Sequence, residues 1–170
     1  NGKYHFYHGC QHCSDRKSTR LNPVTSIVLA ELLGGIRHEN LFIVADKYTV
    51  GFCDRLFEKV DWIPSHVTVL DCGEEYKSIE SVSRIWTMLS KRGARRSSIL
   101  VCVGGGVVTD LGGFAASTFK RGMHCINVPT TLLAQVDASL GGKTGFNFNG
   151  LKNEIGTFSI PEKVIIDVNF

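Results

Sequence analysis

The chain has 170 residues, 43% hydrophobic and 21% charged, with 18 glycines, 4 prolines and a formal net charge of +3. That length suits one domain with a sizeable core, and the composition excludes collagen-like repeats, low-complexity disorder and a disulfide miniprotein. No apolar run reaches the roughly 18 residues of a membrane span, and the excess charge sits in residues 1–25, where Lys3, Arg16, Lys17 and Arg20 face Asp15, so the body carries no electrostatic footprint for nucleic acid or membrane.

Residues 1–25 show neither a helical nor a strand period. The stretch from Asp15 to Thr25 resembles translated sequencing-adapter DNA, so residues 1–25 read as an artefactual or disordered segment ahead of a domain at residues 26–170. His5, His8, Cys10, His12 and Cys13 offer nitrogen and sulfur ligands, but no second Cys/His pair follows at finger spacing, and no metal site is assigned there. The polar start lacks the apolar stretch of a secretory signal. With Cys102 and Cys125 in apolar runs, reduced thiols and a cytoplasmic location are expected.

Leu41–Ala45 is an apolar run ending at Asp46 and reads as a buried strand. Thr49–Val60 carries helical spacing through Val50, Cys53, Leu56, Phe57 and Val60. Val67–Leu70 reads as a second strand, and Ser78–Arg92 as a helix with Ile79, Val82, Ile85, Trp86 and Leu89 on one face, stopped by Gly93. Ile99–Val103 is a third strand running into Gly104-Gly105-Gly106, Val107–Ser117 a helix of small residues, Cys125–Val128 a fourth strand, and Val164–Asp167 a fifth. Strands alternating with helices predict βαβ units and a parallel sheet, an α/β fold with helices on both faces.

The chemistry-bearing motifs follow strands. The Gly104–Gly106 turn lets a phosphate approach backbone N–H groups and a helix N-terminus, although tight turns use such triplets too. Asp110 fits a first-turn cap, and Asp46 either a ribose ligand or a turn residue. In Cys72-Gly-Glu-Glu-Tyr-Lys77, Glu74 and Glu75 could charge a helix start, whereas Lys77 in that first turn opposes the helix dipole and is therefore a functional candidate. Thr130 and Thr131 offer hydroxyls at a strand's C-terminal end. Asp137, in a mostly apolar helix-like stretch, is either a paired structural acid or a ligand group facing a cleft. Gly141-Gly-Lys-Thr144 lacks the upstream glycine of a P-loop, which excludes an NTPase. Lys143 and Lys152, the latter in a glycine-bounded loop, suit an anionic substrate or are solvated loop lysines.

Taken in order, Cys72-Gly-Glu-Glu-Tyr-Lys77, Gly104-Gly-Gly-Val-Val-Thr-Asp110, Phe119-Lys-Arg-Gly122, Val128-Pro-Thr-Thr-Leu-Leu-Ala-Gln-Val-Asp137, Gly141-Gly-Lys-Thr-Gly145 and Lys152-Asn-Glu-Ile-Gly156 closely resemble the amino-terminal half of the 3-dehydroquinate synthase family, over about residues 26–170. The resemblance implies a Rossmann-like NAD-binding domain. It also implies a lyase reaction of the shikimate pathway, in which NAD oxidises a hydroxyl of the phosphorylated keto acid DAHP, phosphate leaves, the carbonyl is reduced again and a carbocycle, 3-dehydroquinate, closes. By resemblance Asp46, Glu74, Lys77, Gly105, Gly106, Val107, Asp110, Thr130 and Thr131 contact NAD. Lys143 and Lys152 line the nucleotide and substrate cleft, Asp137 holds a substrate hydroxyl, and Asn153 contacts substrate. Arg121 reaches the substrate across a subunit boundary, in a homodimer, or supports the site. The family is about twice as long, and its helical domain supplies a Glu and two His for a divalent metal, Zn or Co. This sequence stops at Phe170 before them, so an amino-terminal fragment without turnover or catalytic metal is expected. Valiolone- and inosose-type cyclases, a glycerol-dehydrogenase-like oxidoreductase and an inactive truncated chain stand as alternatives. Lys143 with Lys152-Asn153 favours the synthase.

Overall fold

The computed structural model describes residues 23–167 and 170. Five strands, β1 (Leu41–Asp46), β2 (Val67–Leu70), β3 (Ile99–Gly104), β4 (His124–Pro129) and the short β7 (Lys163–Val164), form one sheet in the order β2-β1-β3-β4-β7. Every pairing in it is parallel, with Ile43 opposite Val67 and Val101, and Val101 opposite Ile126. β1 and β3 are apolar at successive positions because both faces of this sheet are covered. Phe42, Val44, Leu100 and Cys102 face a core shared with Val82, Ile85 and Leu89 of α3 (Ile79–Lys91) and Leu111, Phe114 and Ala115 of α4 (Gly106–Thr118). Leu41, Ile43, Val101 and Val103 face a second core with Leu29 and Leu33 of α1 (Pro23–Leu33) and Cys53 and Leu56 of α2 (Cys53–Leu56).

The β1-to-β2 connection runs over the α2 face, and the next two return over the α3 and α4 face, as a constant crossover hand requires when the direction of winding reverses. The reversal point lies between β1 and β3, and the loops that leave their C-terminal ends flank the crevice where doubly wound sheets take ligands.

The parallel α/β fold is therefore as expected, with local differences. Thr49–Val60 is a helix only at Cys53–Leu56, preceded by a 3-10 turn at Val50–Phe52. Its apolar residues still reach the second core. Asp46 Oδ1, however, accepts the amides of Tyr48 and Thr49, both at 2.9 Å, and this Asx turn occupies the start of the expected helix. The fifth strand is Lys163–Val164 rather than Val164–Asp167. α1 was not foreseen, and its Thr25 Oγ1 donates to Asp167 Oδ2 at 2.7 Å. Residues 1–22, including the His/Cys cluster, lie outside the described residues.

The larger difference is an antiparallel hairpin, β5 (Lys143–Phe148) and β6 (Leu151–Phe158), where a glycine-bounded loop was expected. It lies on α4, with the Phe146 ring edge-on to Phe114 at 5.1 Å between centroids. Two adjacent glycines let α4 lie flush on both neighbours. A Cβ on Gly112 would meet Cys102 Sγ at 2.2 Å, and one on Gly113 would meet Thr144 Cγ2 at 2.5 Å.

Candidate active site at the C-terminal edge of the sheet

β3 ends in the glycine triplet, and α4 starts from it. None of the three glycines has positive φ, so left-handed backbone is not their role, and Gly104 and Gly105 are the two that a Cβ would crowd. A Cβ on Gly104 would sit 2.5 Å from Val108 Cγ2, and one on Gly105 would sit 3.1 Å from Thr131 Cγ2. Gly104 therefore serves packing. Gly105 occupies the N-cap of α4, where no side chain caps the first-turn amides of Gly106, Val107 and Val108. Those amides and the helix dipole favour an anion. Beside them Thr130 N donates to Gly104 O at 3.0 Å, while the buried Thr130 Oγ1 has no partner among the described residues. Thr131 Oγ1 accepts from Ala134 N at 3.3 Å and so caps the following helical stretch.

Asp46 ends β1 at the same edge. Its Oδ1 is committed to the Asx turn, while Thr49 Oγ1 accepts from Asp46 N at 3.0 Å and donates to Val103 O at 2.7 Å. The turn reading of Asp46 is thus realised, and the loops after β1 and β3 are joined through Thr49.

Two expectations for single residues are corrected. Asp110 is not a first-turn cap, because α4 begins at Gly106 and places it one turn further in. Lys77 is not in the first turn of α3, because it precedes Ser78, the N-cap of that helix. Lys77 is instead 4% exposed, with Nζ donating to Asp110 Oδ2 at 2.5 Å and to Asn153 Oδ1. Burial raises the Asp110 carboxyl above its ordinary range, and the bond from Lys77 opposes that shift.

Across from α4 the hairpin closes a cleft of about 500 Å³ lined by Asp110, Asp137, Lys143, Thr144, Asn153 and Thr157 among others. Asp137 is exposed on a π-helical stretch, Ala134–Ala138, whose Gln135 is buried and donates from Nε2 to Asp167 O at 2.8 Å. A π-bulge of this kind redirects one side chain out of helical register. Lys143, the first residue of β5, is exposed at the cleft. Asn153 enters through a left-handed backbone, φ +53°.

The structure does not bring every expected residue to the cleft. Lys152 is an exposed β6 residue outside its lining. Glu74 is exposed and accepts Asn147 Nδ2 at 3.0 Å on its carboxylate. Arg121 stands beyond the C-terminal end of α4, about 20 Å along the helix from the glycine turn. Lys120 and Arg121 both have positive φ, and Lys120 Nζ donates to Ala94 O at 2.7 Å. Sequence reasoning missed Asn147, which bonds to the Glu74–Lys77 loop and to Asn153. Asn149-Gly150, at φ +50° and +79°, was the available signal for the hairpin that carries it.

Among the described residues no three or more His, Cys, Asp or Glu side chains gather as a metal site, and no helix is long and apolar enough to cross a membrane.

The pattern of the family described as 3-dehydroquinate synthase N-terminal matches residues 67–170. A curated 3-dehydroquinate synthase of Parabacteroides distasonis is 46% identical over 159 residues, 93% of this chain and 42% of that protein. This match is longer than residues 26–170, so the likeness extends ahead of residue 26. One of Thermococcus kodakarensis is 56% identical over 103 residues, 61% of this chain and 30% of its own. The chain thus spans about two fifths or less of these relatives. A solved 2-epi-5-epi-valiolone synthase from Streptomyces hygroscopicus subsp. jinggangensis 5008, with NAD+ and Zn2+ bound, is 32% identical at a TM-score of 0.69, covering 75% of this chain and 36% of that one. A 2-deoxy-scyllo-inosose synthase complexed with carbaglucose-6-phosphate, NAD+ and Co2+ is 30% identical at 0.68, covering 82% and 40%. A probable glycerol dehydrogenase from Sinorhizobium meliloti 1021, 20% identical at 0.60 over 84% and 36%, shares the fold alone.

Proposed function

Because the chain belongs to the 3-dehydroquinate synthase family, matched through its amino-terminal domain, we propose that it is the NAD-binding part of an enzyme converting DAHP to 3-dehydroquinate and phosphate. The observation that carries this reading is the uncapped start of α4 at the sheet's reversal point, with a buried Thr130 hydroxyl beside it that has no partner among the described residues. Amides, dipole and hydroxyl suit a pyrophosphate, and the glycine at position 105 leaves the space a Cβ would take. Bound NAD would supply reversible removal of hydride from a substrate hydroxyl.

The chain's own backbone amides and side chains bind and orient. Gly106, Val107 and Thr130 hold the phosphates, and Asp46 and Glu74 accept from ribose hydroxyls. Lys143 faces the anionic groups of the substrate, Asp137 accepts from one of its hydroxyls, and Asn153 donates to one of its oxygens. Lys152 and Arg121 have substrate roles only if another segment or a second subunit brings the ligand to them. A divalent metal finds no ligand set among the described residues, so no step is assigned to it. On this reading residues 26–170 act as one domain, and the chain alone releases no phosphate from DAHP. The curated relatives favour the synthase, while the solved neighbours keep a valiolone- or inosose-type substrate as the second reading.

Titration calorimetry of the chain with NAD tests the assignment. Binding is expected, and Gly105→Val is expected to abolish it. Because the new side chain also crowds Thr131, the melting temperature of the variant is measured in parallel. Equal NAD affinity in a folded Gly105→Val chain would refute the assignment.

A further inference from the structure

We propose that Asn147 is a positioning residue that ties the Glu74–Lys77 loop to Asn153, so that cofactor on the loop and substrate at Asn153 bind cooperatively. The proposal rests on the NAD reading above and deepens it.

The hairpin ladder supplies the first observation. Phe146 pairs with Ile155 and Phe148 with Leu151, so Lys152, Asn153 and Glu154 stand opposite Asn147 alone. Such irregularities re-aim side chains beside active sites. Here the extra residues put Asn153 at φ +53°, a backbone that non-glycine residues rarely adopt and that neighbouring bonds must hold.

Those bonds form a closed circuit. Asn147 Nδ2 donates to Glu74 O at 3.3 Å and to the Glu74 carboxylate at 3.0 Å. Asn147 Oδ1 accepts from Asn153 N at 2.9 Å. Asn153 Oδ1 accepts from Lys77 Nζ, and Lys77 O accepts from Asn147 N at 2.8 Å. The chemistry fixes both amides. The Glu74 oxygens can only accept, and the Asn153 N–H can only donate, so Asn147 has one allowed orientation. Asn153 spends its oxygen on the Lys77 ammonium, which leaves its Nδ2 hydrogens for an oxygen of a ligand in the cleft that it lines. Any shift of the loop on cofactor binding is thereby transmitted to the Asn153 amide.

The test is NAD titration of the 15N-labelled chain, following the Gly106, Val107 and Asn153 signals. In the unmodified chain all three respond. In Asn147→Ala the Gly106 and Val107 signals still respond and the Asn153 signals do not. Asn147→Asp keeps the size and the acceptor for Asn153 N but opposes the Glu74 carboxylate. Its Asn153 response is small at neutral pH and returns as the pH falls into the carboxylate range, where the protonated acid donates again. A positional role predicts that pH-dependent return, and a merely structural one does not. Equal Asn153 responses in all three chains, or none in the unmodified chain while Gly106 moves, would overturn the proposal and leave the NAD reading intact. No response at any of the three signals would overturn both.

Discussion

The parallel sheet and the β5–β6 hairpin are two walls packed on α4, and they are anchored differently. β3 is buried at all six positions and is paired on both edges. Among the described residues the hairpin has no further strand beside it, and β6 is exposed at Leu151–Glu154, Gly156 and Phe158. It is held by Phe146 and Ile155 against the core and by a short chain of hydroxyls, Ser117 to Thr157 at 2.8 Å and Thr157 to Thr144 at 2.8 Å. The sheet wall carries the helix amides, whose positions must be fixed before an anion arrives. The hairpin wall carries Lys143 and Asn153, the groups proposed to meet the variable part of the ligand. A firm wall for the constant cofactor and a lightly anchored wall for the substrate is the division this contrast suggests.

The comparison can be broken most strongly from the sheet side. Phe42 is fully buried and stacks on His66 with centroids 4.5 Å apart. Phe42→Ala is expected to cost about 3–5 kcal/mol, visible in denaturant unfolding, and to remove NAD binding with the fold. An intermediate effect is expected in the hairpin. A Cβ on Gly145 would lie 2.3 Å from Ile155 O, so Gly145→Ala forces the strands apart at about 1–3 kcal/mol. Amide exchange should then rise across β5 and β6 while β1 and β3 keep their protection. Equal loss of protection in the sheet would mean that the two walls unfold as one unit.

The smallest effect lies where the walls meet. Burial raises Asp110 above its ordinary value of 3.8 in the folded chain. A carboxyl that holds its proton more tightly when folded adds stability below 3.8, and that contribution is lost as pH rises through the elevated folded value. Asp110→Asn should therefore flatten the decline of stability over that window, as read from unfolding curves at a series of pH values. An unchanged slope would show that Lys77 fully offsets the burial of Asp110.

The same contrast decided what could be read in the sequence. Leu41–Ala45 and Ile99–Val103 were legible because strands covered on both faces are written as unbroken apolar runs, and Ser78–Arg92 because one helical face is buried. The hairpin has no such run. Lys143–Phe148 contains glycine and asparagine where a strand's apolar residues would stand, since it lies on small residues of α4 rather than in the sheet. Only Asn149-Gly150 marked it. At the site, the residue types were legible and their partners were not. Lys77 reads as an odd lysine near a helix start, and nothing local to it predicts Asp110 and Asn153, 33 and 76 residues away, as its acceptors. The π-helical step that presents Asp137 has no sequence signature either.

A crystal structure of the chain with NAD tests the central claim most directly. The account predicts pyrophosphate oxygens within hydrogen-bonding distance of the Gly106 and Val107 amides and the Thr130 hydroxyl, with the nicotinamide directed into the cleft between Asp137, Lys143 and Asn153. NAD seated elsewhere, with the start of α4 and the Thr130 hydroxyl still without a ligand, would contradict it.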